Sequence, residues 1–247
     1  MAKNEHQNVW VVIPAAGIGK RMQSKTPKQY ININNKTILE HTINCFINHP
    51  QVAGCVVALS SDDPYWKSLK IDSNSGTPIY TVEGGNERSD SVAQALDYLS
   101  MVERLDNNSW VMVHDAARPC LKQQDIARLL ALRETSQSGG ILASPVRDTM
   151  KRAKVGESLV AQTESREDLW HALTPQLFRL GELKQALQDC LEKGFEVTDE
   201  SSAMEAMGYT VNLVEGDSSN IKITRPADIE LATWLLSRKG DINGDNE

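Results

Sequence analysis

Four stretches of the chain combine residue types that could do chemistry. The first, PAAGIGKRMQSKTPK over residues 14–28, sets Pro14, Ala15, Ala16, Gly17 and Gly19 ahead of Arg21 and Lys28. Small side chains let a ligand approach the backbone, free N–H groups can face phosphate oxygens, and the two cations would add formal charge. The same residues also suit a plain strand-to-helix turn carrying solvated lysines, and the loop alone does not separate the two. A dinucleotide fingerprint is excluded, because Met22 stands where G-x-G-x-x-G needs a small residue. Glu40 cannot supply the ribose-binding acid, since it belongs to a helix cap, and there is no Walker A sequence.

In the second stretch, EGGNERSDSV (83–92), Gly84 and Gly85 permit an open backbone, while Asn86, Arg88 and Ser91 offer hydrogen bonds to a base or a phosphate. It reads equally well as a turn before a helix. The third, VHDAARP (113–119), puts Asp115 at the carboxyl end of an apolar strand, where open parallel sheets bind their ligands. Ala116 and Ala117 leave space there and Arg118 is placed to meet an anion, so Asp115 is read as a metal or hydroxyl ligand rather than a helix cap. The fourth pairs TDESSA (198–203) with NIKITRP (220–226). Thr198 is expected to cap a helix, with Asp199 and Glu200 favourable in its first turn. Lys222 interrupts Ile221 and Ile223, an alternation that could simply turn it to solvent. The five histidines show no metal-ligand spacing, and His114 is expected to pack or cap.

The elements that must position these residues alternate. VWVVIP (9–14), CVVALS (55–60), PIYTV (78–82), SWVMVHD (109–115) and GILASPV (140–146) read as buried strands. Helical patterns fall between them, one opened by a Thr37–Glu40 capping box and others running from Arg88 and through Ile126, Leu129 and Leu130. Helices follow near 180–193 and 199–207, then strand-like YTVNLV (209–214) and NIKIT (220–224), and a last helix from Pro226. This order predicts an α/β domain with a mainly parallel sheet covered on both faces. Residues 149–173 break the pattern. They are charge-rich, with a turn signal at Val155–Gly156–Glu157, and suit either a surface excursion or an extended hairpin arm packed on a partner subunit.

A net charge of −7 over 247 residues excludes a nucleic-acid-binding surface while allowing a small anionic substrate held by a few focused cations. Four dispersed cysteines without a CxxC pair fit a reduced, cytoplasmic protein, and no apolar run is long enough to span a membrane. One domain over 8–239 is expected, with a disordered tail over 240–247.

Taken in order, PAAGIGKRM, TPKQY, GGNERSDSV, VHDAARP, SPVRDTMK, ALTPQ, TDESSA and NIKITRPADI closely resemble the 2-C-methyl-D-erythritol 4-phosphate cytidylyltransferases, over about residues 8–236. The resemblance implies a single Rossmann-like nucleotidyltransferase domain whose 149–173 arm makes a homodimer. It implies that Pro14–Gly19 wraps CTP, with Ala15 and Ala16 close to the nucleotide and Gly84, Arg88 and Ala116 on the same side. Gly85, Asn86 and Ser91 would read the cytosine, although some relatives carry Asp in place of Asn86. Arg21, Lys28 and Lys222 would be the catalytic cations at the α-phosphate. Asp115 would hold the methylerythritol substrate with Arg118, Thr149, Thr198 and Lys222, and Arg166 and Thr174 would reach the substrate of the neighbouring subunit. Mg²⁺ would be held mainly by the phosphates, with no protein metal ligand. Rivals are a ribitol 5-phosphate cytidylyltransferase, a non-catalytic nucleotide-binding module and an NAD-dependent oxidoreductase, the last disfavoured by Met22.

Overall fold

The computed structural model describes residues 8–17, 22, 26–71 and 76–241, with side chains through Arg238. Eleven strands and six α-helices follow one another along the described chain. Strand β1 (Val9–Pro14) lies at the centre because its side chains are apolar on both faces. Val9, Val11 and Ile13 enter one buried cluster with Leu39, Ile43 and Phe46, while Trp10 and Val12 enter another with Val92, Leu96 and Leu99. A strand with period-two geometry and two buried faces needs this continuous hydrophobic run.

β1 is paired in parallel with β4 (Val52–Leu59) and β6 (Trp110–Val113), and β4 carries β5 (Ile79–Glu83) outside it, also parallel. Helix α1 (Ile38–Asn44) covers one face. It opens with the expected capping box: Thr37 Oγ1 accepts from the Glu40 N–H at 3.1 Å, and Glu40 Oε2 accepts from the Thr37 N–H at 2.6 Å. Helix α2 (Arg88–Met101) covers the other, and α3 (Gln123–Thr135) leads into β7 (Gly139–Pro145). The seven-stranded order is β11-β7-β10-β6-β1-β4-β5, with β10 spanning Trp170–Arg179 and β11 spanning Asn212–Glu215.

Two of the expected elements differ. β10 runs antiparallel between β6 and β7, and it begins at Trp170, so residues 170–173 belong to the main sheet and not to the arm. The arm itself is a detached hairpin, β8 (Met150–Ala153) on β9 (Val160–Glu164), turning at Gly156 with a positive φ of 74°. Pro175 hid β10 in the sequence. It sits where the ladder to β7 skips between Ala172 and Gln176, a place in a sheet where proline is tolerated. The segment 220–224 is extended but joins no sheet. It is tied instead by single bonds, Ile223 N–H to Ala117 O at 2.9 Å and Asn220 Nδ2 to Thr174 O at 2.7 Å.

Helices α4 (Leu180–Lys193), α5 (Glu200–Ala206) and α6 (Pro226–Asp241) complete the described chain. α6 closes a third apolar cluster through Ala232, with Met22, Ile38 and Ile223, so Met22 is a packing residue. All four cysteines are buried and unbridged, and burial pushes the Cys55 thiol up to about 12. Among the described residues no helix is long and apolar enough to cross a membrane.

Candidate active site

The carboxyl ends of β1 and β6 open into one cleft, at the end of the strands where open parallel sheets bind their ligands. Pro14, Ala15, Ala16 and Gly17 form its floor on the β1 side. Gln29 braces that floor from behind. Its Nε2 donates to Ala15 O at 2.7 Å and Gly17 O at 3.2 Å, and the side chain is buried. The short 3-10 turn Lys28–Tyr30 that supplies Gln29 also brings Lys28 to the cleft. Gly85, Asn86 and Ser91 form a second wall at the start of α2. Ser91 Oγ accepts from the Gly85 N–H at 3.2 Å and donates to Glu87 O at 3.2 Å, which fixes the turn. Gly84 must be glycine, because a Cβ there would meet Ala16 Cβ at 2.6 Å and Ser91 Oγ at 2.8 Å.

Across the cleft, Asp115 is surrounded by cations. Arg88 Nε donates to its Oδ1 at 3.0 Å, while Arg118 Nε and Lys222 Nζ reach its Oδ2 at 3.2 and 2.9 Å. Burial would raise the pKa of this carboxyl, but Arg88, Lys222 and Arg118 outweigh it and hold Asp115 well below the usual carboxylate range. Arg88 is held from its other edge by a bidentate pair to Glu200, at 2.6 and 3.0 Å. Arg118 Nη1 donates to Asn220 O at 2.7 Å, so the extended 220–224 segment and the 115–118 turn are locked together.

Under Asp115 runs a chain of neutral hydrogen bonds. The Asp115 N–H donates to Thr174 Oγ1 at 3.1 Å, which leaves the threonine proton for His114 Nδ1 at 3.0 Å. His114 Nε2 must then carry the ring proton, donated to Arg118 O at 3.0 Å, an assignment made by the network itself. Burial is the main cause that lowers His114 to about 4, so the ring is neutral and packs edge-on to Phe46.

The family model described as IspD, 2-C-methyl-D-erythritol 4-phosphate cytidylyltransferase, matches residues 9–238. The chain belongs to this cytidylyltransferase family. A relative of that name from Alteromonas mediterranea is 50% identical over 239 residues, covering 96% of this chain and 97% of its own. One from Shigella flexneri is 50% identical over 233 residues, covering 94% and 95%. The crystal structure of the Francisella tularensis cytidylyltransferase superposes with a TM-score of 0.79 at 39% identity, covering 93% of this chain and all of that one. The Thermus thermophilus cytidylyltransferase gives 0.74 at 31% identity, covering 93% and 99%.

The cytidylyltransferase fold brings most of the expected residues to one place. Lys28, Arg88, Asp115, Ala116 and Lys222 line the cleft together with the 14–17 floor, and Arg118 stands directly behind Asp115. Thr174, expected to reach a neighbouring subunit's substrate, is instead buried beneath Asp115 of its own subunit, where its hydroxyl is engaged by the Asp115 N–H and His114. Gly19 and Arg21 lie outside the described residues. Thr149, Arg166 and Thr198 do not line the cleft within one subunit. Arg166, in the link from β9 to β10, donates to the Arg147 carbonyl. Thr198 is exposed, and the cap expected of it is made by Asp199, whose Oδ1 accepts from the Ser202 N–H at 2.9 Å. Lys222 does not turn to solvent, and Asp115 is neither a cap nor a free metal ligand, since both its oxygens are bound to cations. Among the described residues no group of three or more His, Cys, Asp or Glu could hold a metal ion.

Two site residues escaped the sequence reading. Glu200 passed as an ordinary first-turn carboxylate, although it is fully buried against Arg88. Gln29 drew no attention because an uncharged side chain in a basic loop carries no spacing signal. The only signal for either was its closeness to a motif, Thr198–Asp199 for one and Lys28 for the other.

Proposed function

We propose that the chain transfers the cytidylyl group of CTP to 2-C-methyl-D-erythritol 4-phosphate, in isoprenoid precursor biosynthesis, at the cleft between the 14–17 floor and Asp115. The observation that carries this is the pairing of a bare backbone floor with a carboxylate hub in one cleft. A triphosphate needs backbone N–H groups and cations, and a polyol phosphate needs a carboxylate for its hydroxyls beside cations for its phosphate. The acceptor phosphate is itself an anionic nucleophile, so no general base is required. One of its oxygens forms a bond to the α-phosphorus of CTP while the bond from that phosphorus to the β-bridging oxygen breaks in line, and pyrophosphate leaves with the electron pair.

Bringing two polyanions together is the obstacle, and positioning with cations is the remedy. Lys28 stands on the nucleotide side and Lys222 between the two sides; the family resemblance gives Arg21, outside the described residues, the same task. Asn86 and Ser91 would face the base, since an Asn carbonyl accepts from the cytosine amino group. Mg²⁺ would be carried by the triphosphate oxygens, where it would neutralise charge; the donor set fits this, because Asp115 is already committed to three cations. The subunit works as a homodimer through the 150–164 hairpin, on which Val155, Leu159 and Val160 are exposed apolar side chains. Its four reduced cysteines suit the cytoplasm.

The test is pyrophosphate release from CTP with methylerythritol phosphate or ribitol 5-phosphate as acceptor. Release with the first and little with the second is expected. Preference for ribitol phosphate would reassign the acceptor, and release with neither would leave a binding protein.

A further inference from the structure

The three cations on Asp115 are not equivalent. Lys222 is about one-third exposed and bonds Oδ2 alone, and Arg118 is tied sideways to the Asn220 carbonyl. Among the described residues Arg88 is the one cation on Oδ1, and its guanidinium is gripped along a second edge by Glu200. A fully buried carboxylate is costly unless its oxygens are satisfied, and Glu200 spends one on each terminal nitrogen of Arg88. That fork fixes the plane of the guanidinium, and the plane decides where Nε points. Nε points at Asp115. Glu200 itself lies on α5, reaches Asp115 only through Arg88, and is absent from the wall of the cleft.

An incoming polyol phosphate would attract every cation near it. An unheld Arg88 would swing toward the new anion and release Asp115, the carboxylate meant for the substrate hydroxyls. We propose that Glu200 is a positioning residue for the acceptor: by locking Arg88 it keeps Asp115 in one orientation while Lys222 engages the substrate phosphate. This rests on the acceptor reading given above. Glu200 thereby assigns Arg88 to the hub and withdraws it from the nucleotide, the role that the family resemblance implied for it. Among the described residues no hydrogen bond or ion pair joins the floor at 14–17 or its brace Gln29 to Arg88, Glu200 or Asp115, so the effect is expected to fall mainly on one substrate.

The experiment compares the wild type with Glu200→Gln, Glu200→Asp, Arg88→Gln and the Glu200→Gln/Arg88→Gln double variant, with each substrate varied at saturation by the other. Losing a charge-assisted bidentate pair is expected to lower kcat/KM for the acceptor by about tenfold or more, with the KM for CTP within about threefold. Glu200→Asp keeps the charge and should recover part of the loss. In the Arg88→Gln background, Glu200→Gln should add little, because the relay is already cut. Equal losses for both substrates, wild-type kinetics, or an undiminished effect in that background would each overturn the proposal. If Glu200→Gln does not fold, Glu200→Asp carries the comparison: a smaller acceptor-selective loss supports the relay, and wild-type kinetics refute it. Should the wild type accept only another polyol phosphate, the substrate assignment fails, and the same comparison is made with that acceptor.

Discussion

Gln29 shows how much of the proposed nucleotide site depends on a residue with no charge. Its amide hydrogens engage the Ala15 and Gly17 carbonyls, which withdraws two negative dipole ends from the surface proposed to face phosphate. The opposite amide orientation would set an oxygen against two oxygens, so this one is forced. Replacing Gln29 by Glu removes the donors and confronts both carbonyls with a buried acceptor. The expected result is a rise in KM for CTP of about tenfold or more, with the acceptor KM little changed, since leaving buried polar groups unmet costs about 1–3 kcal/mol. Steady-state kinetics with each substrate varied checks it, and an unchanged KM for CTP would remove Gln29 from the site. The same contrast explains what was legible. Small residues and glycines show as a bare backbone in any sequence, so the 14–17 floor and Gly84–Gly85 stood out. The partners that orient them do not. Glu200 and Arg88 are separated by 112 positions, and no spacing rule joins them.

Elements with a single job were readable, and elements serving two were not. β1 and α1 follow from apolar runs and a capping box, and both were found where expected. β10 must pair with two neighbours while carrying Thr174 to a point beneath Asp115, and the Pro175 irregularity that achieves this erases the strand signature. Residues 220–224 look like a strand because Ile221 and Ile223 alternate with Lys222, yet they are held by cross-links to the 115–118 turn rather than by a ladder. In the proposed homodimer the hairpin is the element whose purpose would lie outside one subunit. It forms its own two-stranded sheet, too small to be stable alone, with Leu159 exposed just before β9 and Val160 exposed at its start. Excising residues 151–163 and closing the gap with a short turn should therefore convert a dimer to a folded monomer by light scattering, with turnover reduced at least about tenfold if Arg166 acts across the interface. In mixed dimers, an Arg166→Ala subunit should be rescued in part by a partner that is inactive for another reason. A hairpin-deleted protein that stays dimeric, or a fully active monomer, would end that account.

At the scale of the whole molecule, the site is a polar assembly buried where the two halves of the sheet meet, and stability must register its protonation. His114 is buried neutral with its pKa lowered to about 4, while an unfolded chain would give it an ordinary value near 6.5. The folded state thus binds fewer protons than the unfolded state between those values. Its contribution is complete above pH ~6.5 and is lost as pH falls toward about 4, at up to about 1.4 kcal/mol per pH unit and of the order of 3 kcal/mol in all. His49, lowered chiefly by burial and partly exposed, adds a smaller effect of the same sign. Asp115 acts lower. Its depressed pKa stabilises the fold above the ordinary carboxylate range, and that support disappears only as pH falls below about 4. Protonating His114 also ends its acceptance from Thr174, so the support for the Asp115 N–H loosens before the carboxylate itself titrates. Denaturant unfolding followed from pH 8 to pH 4.5 should therefore show a steady loss of stability beginning near pH 6.5. In a folded His114→Asn variant the overall stability should be lower but its slope across this window clearly flatter. A wild-type profile that is level down to pH 5, or a variant with the wild-type slope, would show that His114 is not the group whose neutrality the fold requires.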